Sequence, residues 1–271
     1  MNTISLPTKR PFGWKVFLFI VALTVPATYA VLPYAFTLQS VTLGADELPL
    51  VMIGTLVNAL IYGVLAGIGL FLAERIGLGL PFIEGWLKKE PIRGRFRGVL
   101  VLSVIVGVVV SLIILALSLL VFKPPLQAEL DRLGITLPED IQPPAWQGFL
   151  ASFYGGIVEE VMFRLFGLTL LAWLGSLVSR DSQGRPMPVV FWIANIVFAV
   201  AFGLAHLPAT VGIGLPLNPL VVTRAIVLNG LGGLAFGWLY WKQGLESAML
   251  AHFSADIVLH AITPLVATLV A

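Results

Sequence analysis

The sequence contains no cysteine among its 271 residues. Disulfide bonds, a thiolate nucleophile and cysteine-ligated zinc sites are therefore excluded. Charged side chains are also scarce: Asp, Glu, Lys and Arg make up 11% of the chain, whereas typical soluble domains contain about 25%. The net charge of +2 says little about partners, and the pI of about 9.0 in so apolar a chain reflects basic loops and not a nucleic-acid footprint, so no nucleic-acid partner is expected.

Hydrophobic residues are correspondingly abundant. They account for 58% of the chain, and the mean hydropathy is +0.98. They come in runs of about 20 residues or more, the length that crosses a hydrocarbon core of roughly 30 Å. The composition therefore predicts an all-α integral membrane protein with one domain, 1–271. Its apolar segments are 14–36, 49–72, 98–122, 146–178, 188–208, 218–240 and 246–270.

The fourth segment, 146–178, is too long for one straight crossing at about 1.5 Å per residue. We therefore predict a polytopic bundle of seven or eight spans. The first segment is interpreted as a span and not as a signal peptide, because its apolar run is too long. Pro81–Leu87 is apolar but short, and it is expected to lie at the membrane interface.

The distribution of Lys and Arg predicts the orientation of the chain. Alternate loops are strongly basic, and these loops face the cytoplasm under the positive-inside rule. A cytoplasmic N-terminus follows, with a proline-marked external loop over 123–145. The protein is expected to be a multi-pass protein of the cell (plasma) membrane. The basic set is Lys9, Arg10, Lys15, Arg75, Lys88, Lys89, Arg93, Arg95, Arg97, Arg180 and Arg185; the opposite loops contain Asp46, Glu47, Lys123, Glu129, Asp131, Arg132, Glu139 and Asp140.

Ionisable residues inside membrane spans are costly and are candidates for function. Glu159, Glu160 and Arg164 form a Glu-Glu-x-x-x-Arg pattern. Glu160 and Arg164 share a helix face and are expected to pair, whereas Glu159 points elsewhere and is free to face a polar cavity. Glu159 is therefore the candidate general base, with Glu160 and Arg164 in a supporting role.

Two further motifs lie on later apolar segments. Phe202 and His206 are separated by one helical turn, as are His252 and Asp256. A carboxylate four residues after a histidine can fix its tautomer and orientation. His260 is interpreted as interfacial, and the remaining membrane-embedded cation, Arg224, receives no role. Counted along their segments, His206 falls nearer the outer surface than Glu159 and His252, which lie at similar depth.

The order Glu-Glu-x-x-x-Arg, Phe-x-x-x-His and His-x-x-x-Asp, on separate membrane helices, resembles the CPBP family of intramembrane proteases. This family includes the Rce1-type CAAX prenyl endopeptidases. The resemblance implies a glutamate-dependent endopeptidase that cleaves a membrane-associated or prenylated (CAAX-like) peptide or protein substrate at the lipid bilayer.

The resemblance also implies roles for single residues. Glu159 and His206 would activate a water, and His252 with its i+4 partner would stabilise the oxyanion. Prenyl endopeptidases carry Asn where this chain has Asp256. An ionised Asp256 would repel an oxyanion, so it must be protonated or must orient His252. This difference favours the bacterial-type branch of the family.

Two other hypotheses remain open at the level of sequence. No cofactor is expected, but Glu159, His206 and His252 would also be a legitimate ligand set for a zinc-dependent intramembrane metalloprotease. The same polar residues would suit a non-enzymatic membrane immunity or scaffold protein. Catalytic motifs are expected within 146–260.

Overall fold

A computed structural model describes residues 12–136 and 142–270. Within these ranges the chain is helical and contains no β-strand, which confirms the predicted all-α class. Lys9, Arg10, Glu139 and Asp140, which the orientation argument uses, lie outside the described residues.

The N-terminal half begins with a long helical hairpin. α1 (Trp14–Ala30) and α2 (Leu32–Leu38) form the first long element, and α3 (Leu48–Ile76) returns alongside it. α4 (Pro81–Leu87) is a helix of seven residues, too short to cross about 30 Å. The backbone N–H groups of Phe82 and Ile83 at its start donate to Glu246 Oε1 at 2.8 and 2.9 Å, so this carboxylate caps the helix.

The third long element is longer than predicted. α5 (Arg93–Leu117) continues through a π-helical turn, π1 (Ser118–Phe122), into α6 (Lys123–Leu133). The predicted loop over 123–145 is therefore wrong for Lys123–Leu133. The helix tolerates Pro124 and Pro125 because they occupy the first turn of α6, where π1 ends and a missing N–H costs little.

The candidate residues lie in the C-terminal half. Its first element is continuous from Ala145 to Ser176, and six further helical segments follow it in the described chain. Their bounds are α7 (Ala145–Phe153), π2 (Tyr154–Glu159), π3 (Val161–Leu168), α8 (Thr169–Ser176), α9 (Pro188–Ala205), α10 (Leu207–Gly212), α11 (Pro219–Gln243), α12 (Leu245–Asp256), π4 (Ile257–Ile262) and α13 (Thr263–Val270).

In the described residues six helices are long and apolar enough to cross a membrane. They correspond to the predicted spans other than 146–178. The continuous stretch 145–176 carries Glu159, Glu160 and Arg164, which reduce its hydropathy. Many large apolar side chains on α3, α5 and α9 are exposed, among them Leu60, Ile105 and Ile196. Such a surface is suited to lipid, so the chain is a multi-pass membrane protein.

A hydrophobic core lies where α1, α3, π3, α8, α11 and α12 meet. Leu165, Leu168, Leu239 and Ala248 in this core are 0–1% exposed. Glycines permit the close approach of some of these helices: a Cβ at Gly233 would lie 2.8 Å from the Cα of Ala199. The core holds the 145–176 stretch against α12 and thereby places the polar side chains of the two elements face to face.

Candidate active site

The candidate site begins at the π-helical part of the 145–176 stretch. Glu159 ends π2, and Glu160 stands between π2 and π3. At Gly156 the neighbouring helix is so close that a Cβ would lie 2.9 Å from Cβ of Phe253 and 3.0 Å from the carbonyl oxygen of Met249. π-helical turns occur frequently at functional sites. Here the glycine contact brings both glutamates to α12.

Glu160 lies at the centre of the buried polar cluster. Its Oε1 accepts a hydrogen bond from Nδ1 of His252 at 2.7 Å. The same oxygen is 3.0 Å from Nη1 of Arg164, in an ion pair whose geometry is not that of a hydrogen bond. The three side chains are 0%, 5% and 2% exposed. The predicted Glu160–Arg164 pair is present, and it also includes His252.

Arg164 has further partners that compensate its buried charge. Its Nη2 donates to the carbonyl oxygen of Gly233 at 3.2 Å. Its guanidinium lies 4.7 Å from the ring centre of Phe202 and 5.6 Å from that of Phe236. These contacts join the 145–176 stretch to α9 and α11, so Arg164 acts as a structural tie among three elements.

The opposite edge of His252 faces two other carboxylates. Its Nε2 is 3.7 Å from Oε2 of Glu159 and 3.6 Å from Oδ1 of Asp256. Both distances exceed the usual length of a hydrogen bond. Stacking on Phe236 at 4.7 Å fixes the plane of the ring. Glu160, and not Asp256 as the spacing suggests, therefore makes the close contact that orients His252.

Glu159 and Glu160 differ in exposure as predicted. The Glu159 side chain is 20% exposed and that of Asp256 is 14%, whereas Glu160 is fully buried. The two residues are adjacent in sequence and lie on different faces of the helix. One carboxylate is thus committed to internal pairing, and the other is partly accessible, as is Asp256.

His206 lies immediately after α9, with its ring folded back on the helix. Its Nδ1 is 2.8 Å from the carbonyl oxygen of Phe202. A carbonyl can only accept, so Nδ1 carries the hydrogen, and in the singly protonated ring Nε2 is an acceptor. Among the described residues His206 forms no ion pair with Glu159. The Phe202 ring contacts both histidines, at 4.8 Å from His206 and 5.6 Å from His252.

His260, interpreted from the sequence as interfacial, also contacts the polar cluster. Its Nε2 is 3.9 Å from Oδ1 of Asp256, and its Nδ1 is 3.0 Å from the hydroxyl of Tyr34. A sequence signal exists for His260, because His252, Asp256 and His260 recur every four residues on one helix face. No comparable signal exists for Tyr34, since it comes from α2, far away in the sequence.

The zinc hypothesis requires Glu159, His206 and His252 to converge on one point. Phe202 contacts both histidine rings, and within 12–136 and 142–270 no group of three His, Asp or Glu side chains is arranged to hold a metal ion. His252 also directs Nδ1 to Glu160. The geometry of these side chains therefore does not fit the proposed ligand set.

Together these features define a multi-pass helical membrane protein with a carboxylate–histidine cluster buried between its helices. The family model "Type II CAAX prenyl endopeptidase Rce1-like" matches residues 141–258, which contain all three motifs. The resemblance that the motifs predict is thus confirmed over this segment, and it supports an intramembrane endopeptidase of the CAAX type in general. No curated protein and no solved structure matches the chain.

Proposed function

We propose that this chain hydrolyses a peptide bond of a membrane-associated substrate with a water activated by Glu159. The observation that carries the proposal is the division between the two adjacent glutamates. Glu160 is paired with Arg164 and His252, while Glu159 remains partly exposed beside the other edge of the same histidine. A purely structural ion pair would require only one of the two carboxylates.

In the proposed reaction Glu159 takes a proton from water as the oxygen attacks the carbonyl carbon of the scissile bond. The carbonyl becomes a tetrahedral oxyanion. Glu159 then returns the proton to the amide nitrogen, the C–N bond breaks, and a carboxylic acid and an amine leave. Protons and electrons balance without an additional reactant.

His252 is proposed as the donor to the oxyanion. Glu160 accepts from Nδ1 and fixes the ring so that Nε2 lies beside Glu159 and Asp256, where the N–H of the doubly protonated ring would donate to the oxyanion. A preorganised donor of this kind contributes about 2.7–4 kcal/mol to transition-state stabilisation in other hydrolases. Asp256, beside the same Nε2, is proposed to hold His252 and His260 in place and not to contact the oxyanion.

His206 is proposed to help polarise the attacking water through Nε2, its acceptor nitrogen. The ring of Phe202 contacts both histidines, His206 and His252. The proposed water would lie between Glu159 and His206. No metal is required by this scheme, because a carboxylate and two imidazoles supply the base and the donor.

The substrate proposed is a membrane-associated or prenylated (CAAX-like) peptide, by analogy with the description of the matching family. The aspartate at position 256 keeps the proposal with the bacterial-type branch, at the plasma membrane. The test is hydrolysis by the purified protein in proteoliposomes, on matched prenylated and unprenylated peptides. Cleavage by the parent that is absent in Glu159→Ala supports the proposal. Equal cleavage by both contradicts the role of Glu159, whereas no cleavage of any peptide contradicts the proposal and favours an immunity or scaffold role.

A further inference from the structure

A cleft of about 740 Å³ lies away from the carboxylate–histidine cluster, and its lining includes none of the candidate catalytic residues. It is bordered by the start of α1, the end of α3, α4, the start of α5 and the end of α11. Four of the long apolar helices begin or end beside it, at Trp14, Ile76, Arg93 and Gln243. The cleft therefore lies where the membrane spans reach the interface.

Tryptophan side chains support this position. Trp14 and Trp241 both line the cleft, and Trp14 is 64% exposed. Indole rings are enriched at the level of the lipid head groups, because one part of the ring is apolar and its N–H is polar. The cleft is therefore expected to face the head-group region and not bulk water alone.

The floor of the cleft is apolar. Val16, Leu70, Leu80 and Tyr240 line it, and each is at most 6% exposed. Hydrocarbon is favoured over water on such a surface. The volume is within the range of sites that hold small ligands. The cleft can therefore accept methylene groups of a ligand in addition to a polar group.

The mouth of the cleft is basic. Two carboxylates, Glu74 and Glu84, also line the cleft, but its cations outnumber them by two. Lys88 pairs with Glu84 at 3.7 Å, whereas in the part of the chain that the structure describes the other three cations form no ion pair. The lining cations, all exposed, are Lys15, Lys88, Arg95 and Lys242.

Aromatic rings, and not carboxylates, contact two of these cations. The ammonium of Lys242 lies 3.5 Å from the ring centre of Trp241, and the guanidinium of Arg95 lies 5.3 Å from that of Phe82. A cation on a ring face keeps its N–H donors for another partner, since the ring supplies no lone pair. Arg95 and Lys242 can therefore still bind an anion at the mouth.

We propose that this cleft binds an anionic phospholipid, with the phosphate at Lys15, Arg95 and Lys242 and the first acyl methylenes on the apolar floor. Basic pockets between membrane helices bind anionic head groups in other membrane proteins. A soluble phosphate would leave the floor uncovered, and a zwitterionic lipid would bring its own cation to a basic mouth. The proposal does not depend on peptidase activity.

The test is lipid binding by the purified full-length protein in nonionic detergent, with bound lipids counted by native mass spectrometry. The probes are dihexanoyl phosphatidylglycerol, dihexanoyl phosphatidylcholine with the same chains, and glycerol phosphate without chains. The cleft variant is Lys15→Gln/Arg95→Gln/Lys242→Gln. It removes the three cations that are proposed to contact the phosphate.

The matched control is Lys89→Gln/Arg93→Gln/Arg97→Gln. It removes the same number of charges from exposed positions at the same end of the bundle, and none of the three lines the cleft. Both variants are first compared with the parent by their unfolding midpoints without lipid. If the triple cleft variant does not fold, Lys242→Gln is compared with Arg97→Gln, and a loss of about fivefold in the first only is expected.

We expect the parent to bind one phosphatidylglycerol about tenfold or more tightly than phosphatidylcholine or glycerol phosphate. The cleft variant should lose about 100-fold, because each basic side chain beside an anionic lipid contributes about fivefold to binding. The control should stay within about threefold, since screening weakens more distant charges. Equal binding of the two lipids, or equal losses in the two variants, would overturn the proposal. Glycerol phosphate that binds as tightly as phosphatidylglycerol would also overturn it, because the cleft would then be a site for soluble phosphate.

Discussion

Removal of the Glu160 carboxylate should destabilise the protein strongly, because Arg164 would remain buried without its counter-charge. The Arg164 side chain is 2% exposed, and Glu160 is its only ion-pair partner within the described residues. Breaking a buried pair on one side typically costs about 3–5 kcal/mol. The carbonyl of Gly233 and the rings of Phe202 and Phe236 still compensate part of the charge, which places Glu160→Ala near the lower end of this range.

The double variant Glu160→Ala/Arg164→Met provides the matched comparison. It removes both charges, so it should be more stable than Glu160→Ala alone even though it carries one more substitution. The measurement is equilibrium unfolding in detergent, with the parent, both single variants and the double variant compared as a cycle. If the two effects simply add, the pair is not coupled, and the assignment of Glu160 as the internal partner of Arg164 is refuted.

Three further predictions follow from the same geometry. Gly155→Ala places a Cβ 3.1 Å from Nε2 of His252 and against Asp256, so activity should fall at least tenfold, while Gly94→Ala, where the space is open, should be neutral in the same peptide assay. Tyr34→Phe removes the hydrogen bond to His260, so the free energy of unfolding should fall by about 0.5–1.5 kcal/mol; an unchanged free energy of unfolding would contradict that contact. Peptide cleavage should persist in strong chelator, with no metal in the purified protein by elemental analysis; loss of activity that added zinc restores would contradict the metal-free scheme.

The sequence was sufficient to predict the helical membrane class and the separation of the two glutamates. Both follow from local rules: apolar run length predicts spans, and the 100° rotation between adjacent helical residues directs Glu159 and Glu160 to different faces. The family model matches residues 141–258, the segment that contains the three motifs identified in the sequence.

The errors of the sequence interpretation concern contacts between distant segments. Spacing favoured Asp256 as the partner of His252, but the packing of the glycine-containing π2 turn against α12 brings Glu160 to Nδ1 instead. Tyr34 reaches His260 across 226 residues, which no local pattern encodes. The α6 helix was missed because paired prolines usually indicate a loop, although the first helical turn tolerates them.

The most direct test of the account is the rate of peptide hydrolysis by Glu159→Gln, measured beside the parent and the control Glu129→Gln. Because Glu159 is proposed to move the proton in both steps, its amide should reduce the rate by about 10²–10⁴-fold with little change in the unfolding midpoint. Glu129→Gln should retain the parent rate, because its carboxylate pairs with Arg132 and has no contact with the candidate site. A Glu159→Gln rate within a few fold of the parent, in correctly folded protein, would contradict the central claim that Glu159 activates the water.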